Sequence, residues 1–185
     1  MNYRLTTFML AAVLILGLGV SSIQAAPKET VQPAPQAVAP AGTYIFANAG
    51  TGWVPEVVGQ YNWWHPRGWG MQAKPKTVGE KWVHIPITIP TWIADSTMWI
   101  DTAYFCAQSA NGAAGTGPNR MDVWDDNVMI ATSNITWYGD NAYHCWGMSF
   151  TATSVSSLSI SVSLNFANTT HMITLGKAYV WTSPP

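Results

Sequence analysis

Leu158-Ser159-Ile160-Ser161-Val162-Ser163-Leu164-Asn165-Phe166 puts an apolar residue at every even position and a small polar residue at every odd one. Successive side chains of an extended strand point to opposite faces, so this stretch presents one face to a core and the other to water. In Trp82-Val83-His84-Ile85-Pro86-Ile87-Thr88-Ile89-Pro90, residues Val83, Ile85, Ile87 and Ile89 share one face, with Trp82, His84, Pro86 and Thr88 on the other. Its two prolines lack a donor for a neighbouring strand and predict an edge position. Residues 98–107, 120–124, 128–136, 142–151 and 172–181 are also rich in β-branched and aromatic residues. Asp125-Asp126-Asn127 and Gly139-Asp140-Asn141 read as hairpin turns, and residues 111–119 as a small-residue loop. No window after the leader holds an unbroken helical stripe. The pattern predicts an all-β fold, an antiparallel β-sandwich of jelly-roll-like form with seven to nine strands.

Composition narrows the function classes. The 185 residues are 48% hydrophobic, 12% aromatic and 9% charged, with eleven Trp, enough large apolar surface to offset the ordering entropy of a folded domain. Eight basic and nine acidic residues leave a formal charge of −1, and no basic cluster forms that would neutralise phosphates, which excludes nucleic acid as a partner class.

The N-terminus carries its own signals. Arg4 precedes the uncharged apolar run Phe8–Val20, and Ser21-Ser22-Ile23-Gln24-Ala25 ends on a small residue, the layout of a secretory signal peptide over residues 1–25. The run is too short for a spanning helix, and no Cys follows it for lipid attachment, so no stable membrane insertion is expected after cleavage. Residues 26–42 hold four prolines and no apolar period, a Pro/Ala-rich disordered spacer ahead of a β-sandwich domain at 43–183. The expected location is secreted, periplasmic or at the cell surface. Cys106 and Cys145 are the only cysteines, and an even pair in an oxidising compartment reads as a disulfide, here expected to tie non-adjacent parts of the sandwich.

Four motifs resemble a family of small bacterial β-sandwich proteins of unknown function. They are Gly68-Trp69-Gly70, Trp82-Val83-His84-Ile85-Pro86-Ile87-Thr88-Ile89-Pro90, Val123-Trp124-Asp125 and Ile160–Phe166. Order and spacing agree over about residues 52–180. Trp124-Asp125-Asp126 stands where that family has Tyr-Asp-Gly, and the cysteine pair and the leader are additions. The resemblance implies a β-sandwich and no assigned chemistry.

Candidate functional residues concentrate in Tyr61-Asn62-Trp63-Trp64-His65-Pro66-Arg67-Gly68-Trp69-Gly70. Neighbouring Trp63 and Trp64 point to opposite sides of an extended segment, so one of them is a candidate for exposure. An exposed indole beside Asn62, His65, Arg67 and Trp69 has the parts of a glycan- or protein-binding plate: an apolar surface with polar groups at its rim. Trp53, Trp82 and Trp92 are candidate extensions, and Trp69 between its glycines is alternatively a plug for the end of the sandwich. The leading reading is thus an exported, non-enzymatic binding or surface-associated protein that recognises glycan or another extracellular protein, without a cofactor. The oligomeric state stays open.

Two rival readings are weaker. One is a metal-binding protein: His65, His84, His144 and His171 with the methionines would suit copper, and Asp122, Asp125, Asp126, Asn127 and Asp140 would suit calcium, but neither set has a ligand-spacing motif. The methionines otherwise fill the core, and Asp125–Asn127 otherwise bond their own turn. The other is a hydrolase. Glu56 with Glu80, or Asp101 with Asp122, supply carboxylates, but no nucleophile elbow or phosphate loop accompanies them.

Overall fold

The computed structural model describes residues 44–90, 92–93 and 96–183, so the leader and the Pro-rich spacer lie outside the described residues. The stretch that opened the sequence reading is β12 (Leu158–Phe166), and the proline-bearing one is β5 (Gly79–Ile87). They are antiparallel neighbours in unbroken register from Leu158 opposite Ile87 to Phe166 opposite Gly79. Val83, Ile85, Ile160, Val162 and Leu164 are fully buried, which puts the shared apolar face of this pair at the centre of the core.

Around that pair the chain builds β1 (Tyr44–Asn48), β2 (Val54–Pro55), β3 (Tyr61–Arg67), β4 (Gly70–Pro75), β8 (Trp99–Ser109), β9 (Gly117–Asp125), β10 (Val128–Asn134), β11 (Tyr143–Ser154) and β13 (Ile173–Ser183). Two-residue β6 (Trp92–Ile93) and β7 (Ser96–Thr97) form a separate ribbon. One sheet has the order β10-β9-β12-β5-β2. The other runs β11-β8-β13-β4-β3, with β1 also on β13. β4 takes residues Ile173–Leu175 of β13 and β1 takes Ala178–Thr182.

Apart from the β6–β7 ribbon, consecutive strands pair only at β3–β4 and β9–β10; the other links pass from one sheet to the other, the two-layer crossing expected of a jelly-roll-like sandwich. The hairpin expected at Gly139-Asp140-Asn141 is therefore a crossover, since β10 and β11 belong to different sheets. The eight residues Ile135–Ala142 are longer than a tight hairpin and leave room to cross. Eleven strands in the two sheets exceed the expected seven to nine. The additions are β1, β2 and the β3–β4 hairpin, of which β2 is only two residues long and β3 carries two adjacent tryptophans and a proline.

The edge position read for β5 holds over most of its length, because β2 pairs only with Val83 and His84. Asn48 donates its side-chain N–H to the Pro86 carbonyl at 2.8 Å, satisfying one acceptor beyond β2. One expectation for β12 fails: Ser161 and Ser163 face outward in the alternation yet are buried. Ser161 Oγ lies 2.7 Å from His84 Nδ1, and Ser163 donates to Glu80, so cross-strand neighbours cover them with a polar layer.

The Cys106–Cys145 disulfide is present but ties adjacent strands, not distant ones. The two residues are directly opposed in the β8–β11 ladder, with Cα atoms 4.0 Å apart. Spacing along the chain gave no register, and register decides whether a bond crosses sheets or joins neighbours.

Candidate functional site

The β3–β4 hairpin is the edge of the six-stranded sheet, and its register sorts the Trp-rich segment residue by residue. Trp64 lies opposite buried Ala73 and packs against the core, its ring 4.9 Å from Tyr61. Trp63, opposite Lys74, points the other way and is 42% exposed. Strand alternation alone had required that split. His65, opposite Gln72, is on the same outward face, and its ring stacks on Trp63 at 5.0 Å with 19° between planes. Arg67 follows two residues on, donating from Nε to Gln72 Oε1 at 3.0 Å, and no other protein partner for its guanidinium occurs among the described residues.

Exposed Trp69 sits in the turn between β3 and β4, so it does not plug the end of the sandwich. Trp63, His65 and Arg67 thus form a strip about 13 Å long at the rise of an extended strand, with Trp69 exposed in the turn beyond it. Asn62 is exposed at a register shift, with its side-chain N–H 3.4 Å from the Pro75 carbonyl. Of the six candidate residues, the structure places Asn62, Trp63, His65, Arg67 and Trp69 at the surface and gives Trp64 to the core.

Three of the basic residues, Arg67, Lys74 and Lys76, belong to this hairpin or its end, and no acidic residue occurs between Glu56 and Glu80. The strip is therefore apolar along its middle and cationic at its rim.

The other tryptophans do not extend it. Trp53 is 1% exposed, donates its indole N–H to the Gly176 carbonyl at 2.7 Å and meets Phe105 edge-on. Trp82 lies on the outer face of the opposite sheet beneath the Arg120 guanidinium, 5.5 Å from its ring centre. The side chain of Trp92 lies outside the described residues.

A second outward aromatic group escaped the sequence reading. Tyr104 and Tyr179 stack at 4.9 Å on the outer face of the six-stranded sheet, with Trp181 5.2 Å from Tyr104 and the Lys177 ammonium over Tyr179. These residues are far apart in sequence, and only the β8–β13 register aligns them. Burial raises the Tyr179 hydroxyl above the usual tyrosine range, and adjacent Tyr104 adds to it.

The four histidines are scattered. His65 is on β3, His84 contacts Ser161 on the opposite sheet, His171 lies 2.7 Å from Thr116 Oγ1 in a loop, and His144 pairs with Asp140 at 2.7 Å. Among the described residues no three His, Cys, Asp or Glu side chains are grouped to hold a metal ion. Burial lowers the His84 ring below its ordinary value, partly offset by Glu56, and favours the neutral form.

Two of the acidic candidates, Asp122 and Asp125, are likewise committed elsewhere. Asp122 is buried and accepts from Arg120 Nε at 2.9 Å and Thr132 Oγ1 at 2.6 Å. Asp125 does not bond its own turn as expected: Oδ1 accepts from Ser156 N and Ser157 N, both at 2.9 Å, and from Ser156 Oγ. Partial burial would raise that carboxyl, but the bonds from Ser157 and Ser156 outweigh it and hold it below the usual range. Met71, Met98 and Met121 are core residues, whereas Met129 is 43% exposed.

No family model and no curated protein matches the chain. Among solved structures it is similar to the CBM36-1 domain of a multidomain xylanase from the hindgut metagenome of Trinervitermes trinervoides, at 12% identity and TM-score 0.43, covering 75% of this chain and 95% of that one. It is also similar to carbohydrate-binding module CBM36 in complex with calcium and xylotriose, at 12% identity and TM-score 0.41, covering 71% and 96%. A third is the K3 cleaved adhesin domain of Lys-gingipain from Porphyromonas gingivalis w83, at 10% identity and TM-score 0.41, covering 76% and 99%. Likeness at this level adds nothing to what the two hydrogen-bonded sheets already establish about the fold.

Proposed function

We propose that this is an exported, non-catalytic binding protein that recognises glycan through the outward strip of the β3–β4 hairpin, with a preference for acidic sugars. The observation that carries the reading is Trp63: an indole 42% exposed, stacked on His65, at the centre of a cationic rim. Flat apolar rings accept the C–H face of a sugar ring, and Arg67, Lys74 and Gln72 beside them supply donors for hydroxyls and carboxylates. The stack costs little ordering entropy on binding, since Trp63 and His65 already hold each other in place. Export is supported by the leader sequence and the disulfide. The motif resemblance to small bacterial β-sandwich proteins is compatible with this role, with Gly68-Trp69-Gly70 forming the turn of the hairpin and the second motif spanning β5.

The test is titration of the mature protein with a polyuronate and with a neutral polysaccharide, followed by Trp fluorescence. Trp63→Ala is expected to abolish the spectral change and weaken binding about tenfold or more, with the fold retained. Arg67→Ala or Lys74→Ala should narrow the difference between acidic and neutral ligands, and added salt should do the same. Unchanged binding in Trp63→Ala would sink the reading.

A further inference from the structure

The strip on β3 and the tyrosine group on β8 and β13 share one face of the six-stranded sheet. His65 lies opposite Gln72, Gln72 opposite Thr174, Thr174 opposite Gln108 and Gln108 opposite Tyr143, a single outward row across five strands. Tyr104 is four residues from Gln108 along β8, so alternation returns it to the same side, and Tyr179 is its direct partner on β13. Two glycines keep this surface flat. A side chain at Gly147 would strike the Tyr104 ring and one at Gly176 the Tyr143 hydroxyl, so both tyrosines lie down on the sheet.

Charge divides between the two sheets. The six strands of this sheet carry Arg67, Lys74 and Lys177 against one acid, Asp101, which sits near the start of β8 and accepts from Thr102 Oγ1 at 2.8 Å. The five-stranded sheet carries Lys81 and Arg120 against Glu80, Asp122 and Asp125. A chain with a formal charge of −1 thus presents a cationic face here. Register puts two of the cations between the two aromatic groups: Arg67 is two residues beyond His65, and Lys177 is in the β13 bulge between Thr174 and Tyr179. From His65 to Tyr179 is two strand spacings across and four residues along, about 16 Å on the diagonal.

We propose that Tyr104, Tyr179 and Trp181 form a second subsite of one extended site, so that a single acidic polysaccharide chain lies obliquely across the sheet from Trp63 to Trp181. The proposal rests on the glycan reading of the β3 strip and deepens it, from a contact with one sugar to recognition of an internal stretch of several. Each aromatic group takes the C–H face of a sugar ring, and Arg67 and Lys177 between them take carboxylates carried along the chain. A neutral chain would leave those cations unused, and an apolar partner would bury them unpaired at a cost. The rings of Tyr104 and Tyr179 already stack on each other, so binding has little left to order. Once Trp63 holds one end of the chain, the contact at Tyr179 is intramolecular and adds affinity without a second encounter.

Calorimetric titration of the mature protein with oligogalacturonates from dimer to dodecamer reads the length of the site. Affinity is expected to rise about tenfold or more between the shortest oligomers and those long enough to reach both groups, and then to level off. Tyr179→Ala should remove most of that rise and leave the short oligomers, which Trp63 holds, unchanged. Tyr179 is half-buried, so Lys177→Gln at an exposed position supplies a variant that spares the packing, and it too should weaken only the long oligomers. Affinity independent of length, or a rise with length indifferent to both variants, overturns the proposal and leaves the Trp63 reading standing. Tighter binding of polyglutamate than of a uronate of matched length would assign the face to an acidic peptide and overturn it as well. If no oligomer binds the wild-type protein, the reading of the β3 strip and its extension fall together.

Discussion

Trp63 and Trp64 are adjacent, chemically identical and opposite in role. Trp64→Ala removes a ring packed against Tyr61 and the core and is expected to cost about 2–4 kcal/mol in chemical denaturation, below the 3–5 of a fully buried Trp because the site is only partly enclosed. Trp63→Ala, on the solvent side, should fall within about 0.5 kcal/mol of wild type. Gly147 shows the reverse dependence. A Cβ there would sit 2.0 Å from Cε1 of Tyr104, because the Tyr104 ring lies flat across the glycine on the neighbouring strand. Gly147→Ala must therefore tilt that ring away from Tyr179, and a loss of about 1–3 kcal/mol is expected, readable as a lower urea midpoint with an altered near-ultraviolet aromatic spectrum. If Gly147→Ala melts like wild type, Tyr104 does not rest where the structure has it.

At the scale of elements, strands are held in register by groups that titrate. His84 on β5 meets Ser161 on β12, and burial keeps its pKa below the ordinary value. The folded state then binds fewer protons than the unfolded chain as pH falls through the unfolded value of about 6.5, so stability declines there on acidification. Asp125 has the usual carboxylate sign. Its depressed pKa contributes stability that is present above the unfolded value near 4 and lost as pH falls through the folded one. The expected stability profile falls in two stages between neutral pH and acid. His84→Gln should remove the upper stage, and Asp125→Asn should shrink the lower one, while also loosening the β11–β12 loop that Asp125 holds at Ser156 and Ser157. A thermal melt series from pH 8 to pH 3 measures both. The same scale shows why the 139–141 turn misled: turn residues announce a reversal, whereas the partner of the next strand is settled by which sheet has a free edge.

For the whole molecule, the disulfide closes a loop with a sequence separation of 39 and joins β11, the outermost strand of its sheet, to β8. Constraining the unfolded chain over that loop is worth roughly 4 kcal/mol in the entropy model. Cys106→Ala with Cys145→Ala should therefore lower unfolding stability by about 2–4 kcal/mol, and hydrogen exchange should quicken first in β11, which has only β8 as a sheet neighbour. Uniform loss of protection across both sheets would mean the bond does not act through the edge strand.

The alternation in residues 158–166 and 82–89 determined an all-β fold and the inward face of its two central strands, because a period of two is a local property of the backbone. Strand geometry likewise put Trp63 and Trp64 on opposite faces and made one of them a candidate for exposure. The chain order could not say which one, nor that Trp53 would be buried, that Tyr104, Tyr179 and Trp181 would meet, or that Cys106 and Cys145 would be direct neighbours. Each of those depends on register and sheet order, which follow from how eleven strands share one core and not from any stretch of sequence taken alone.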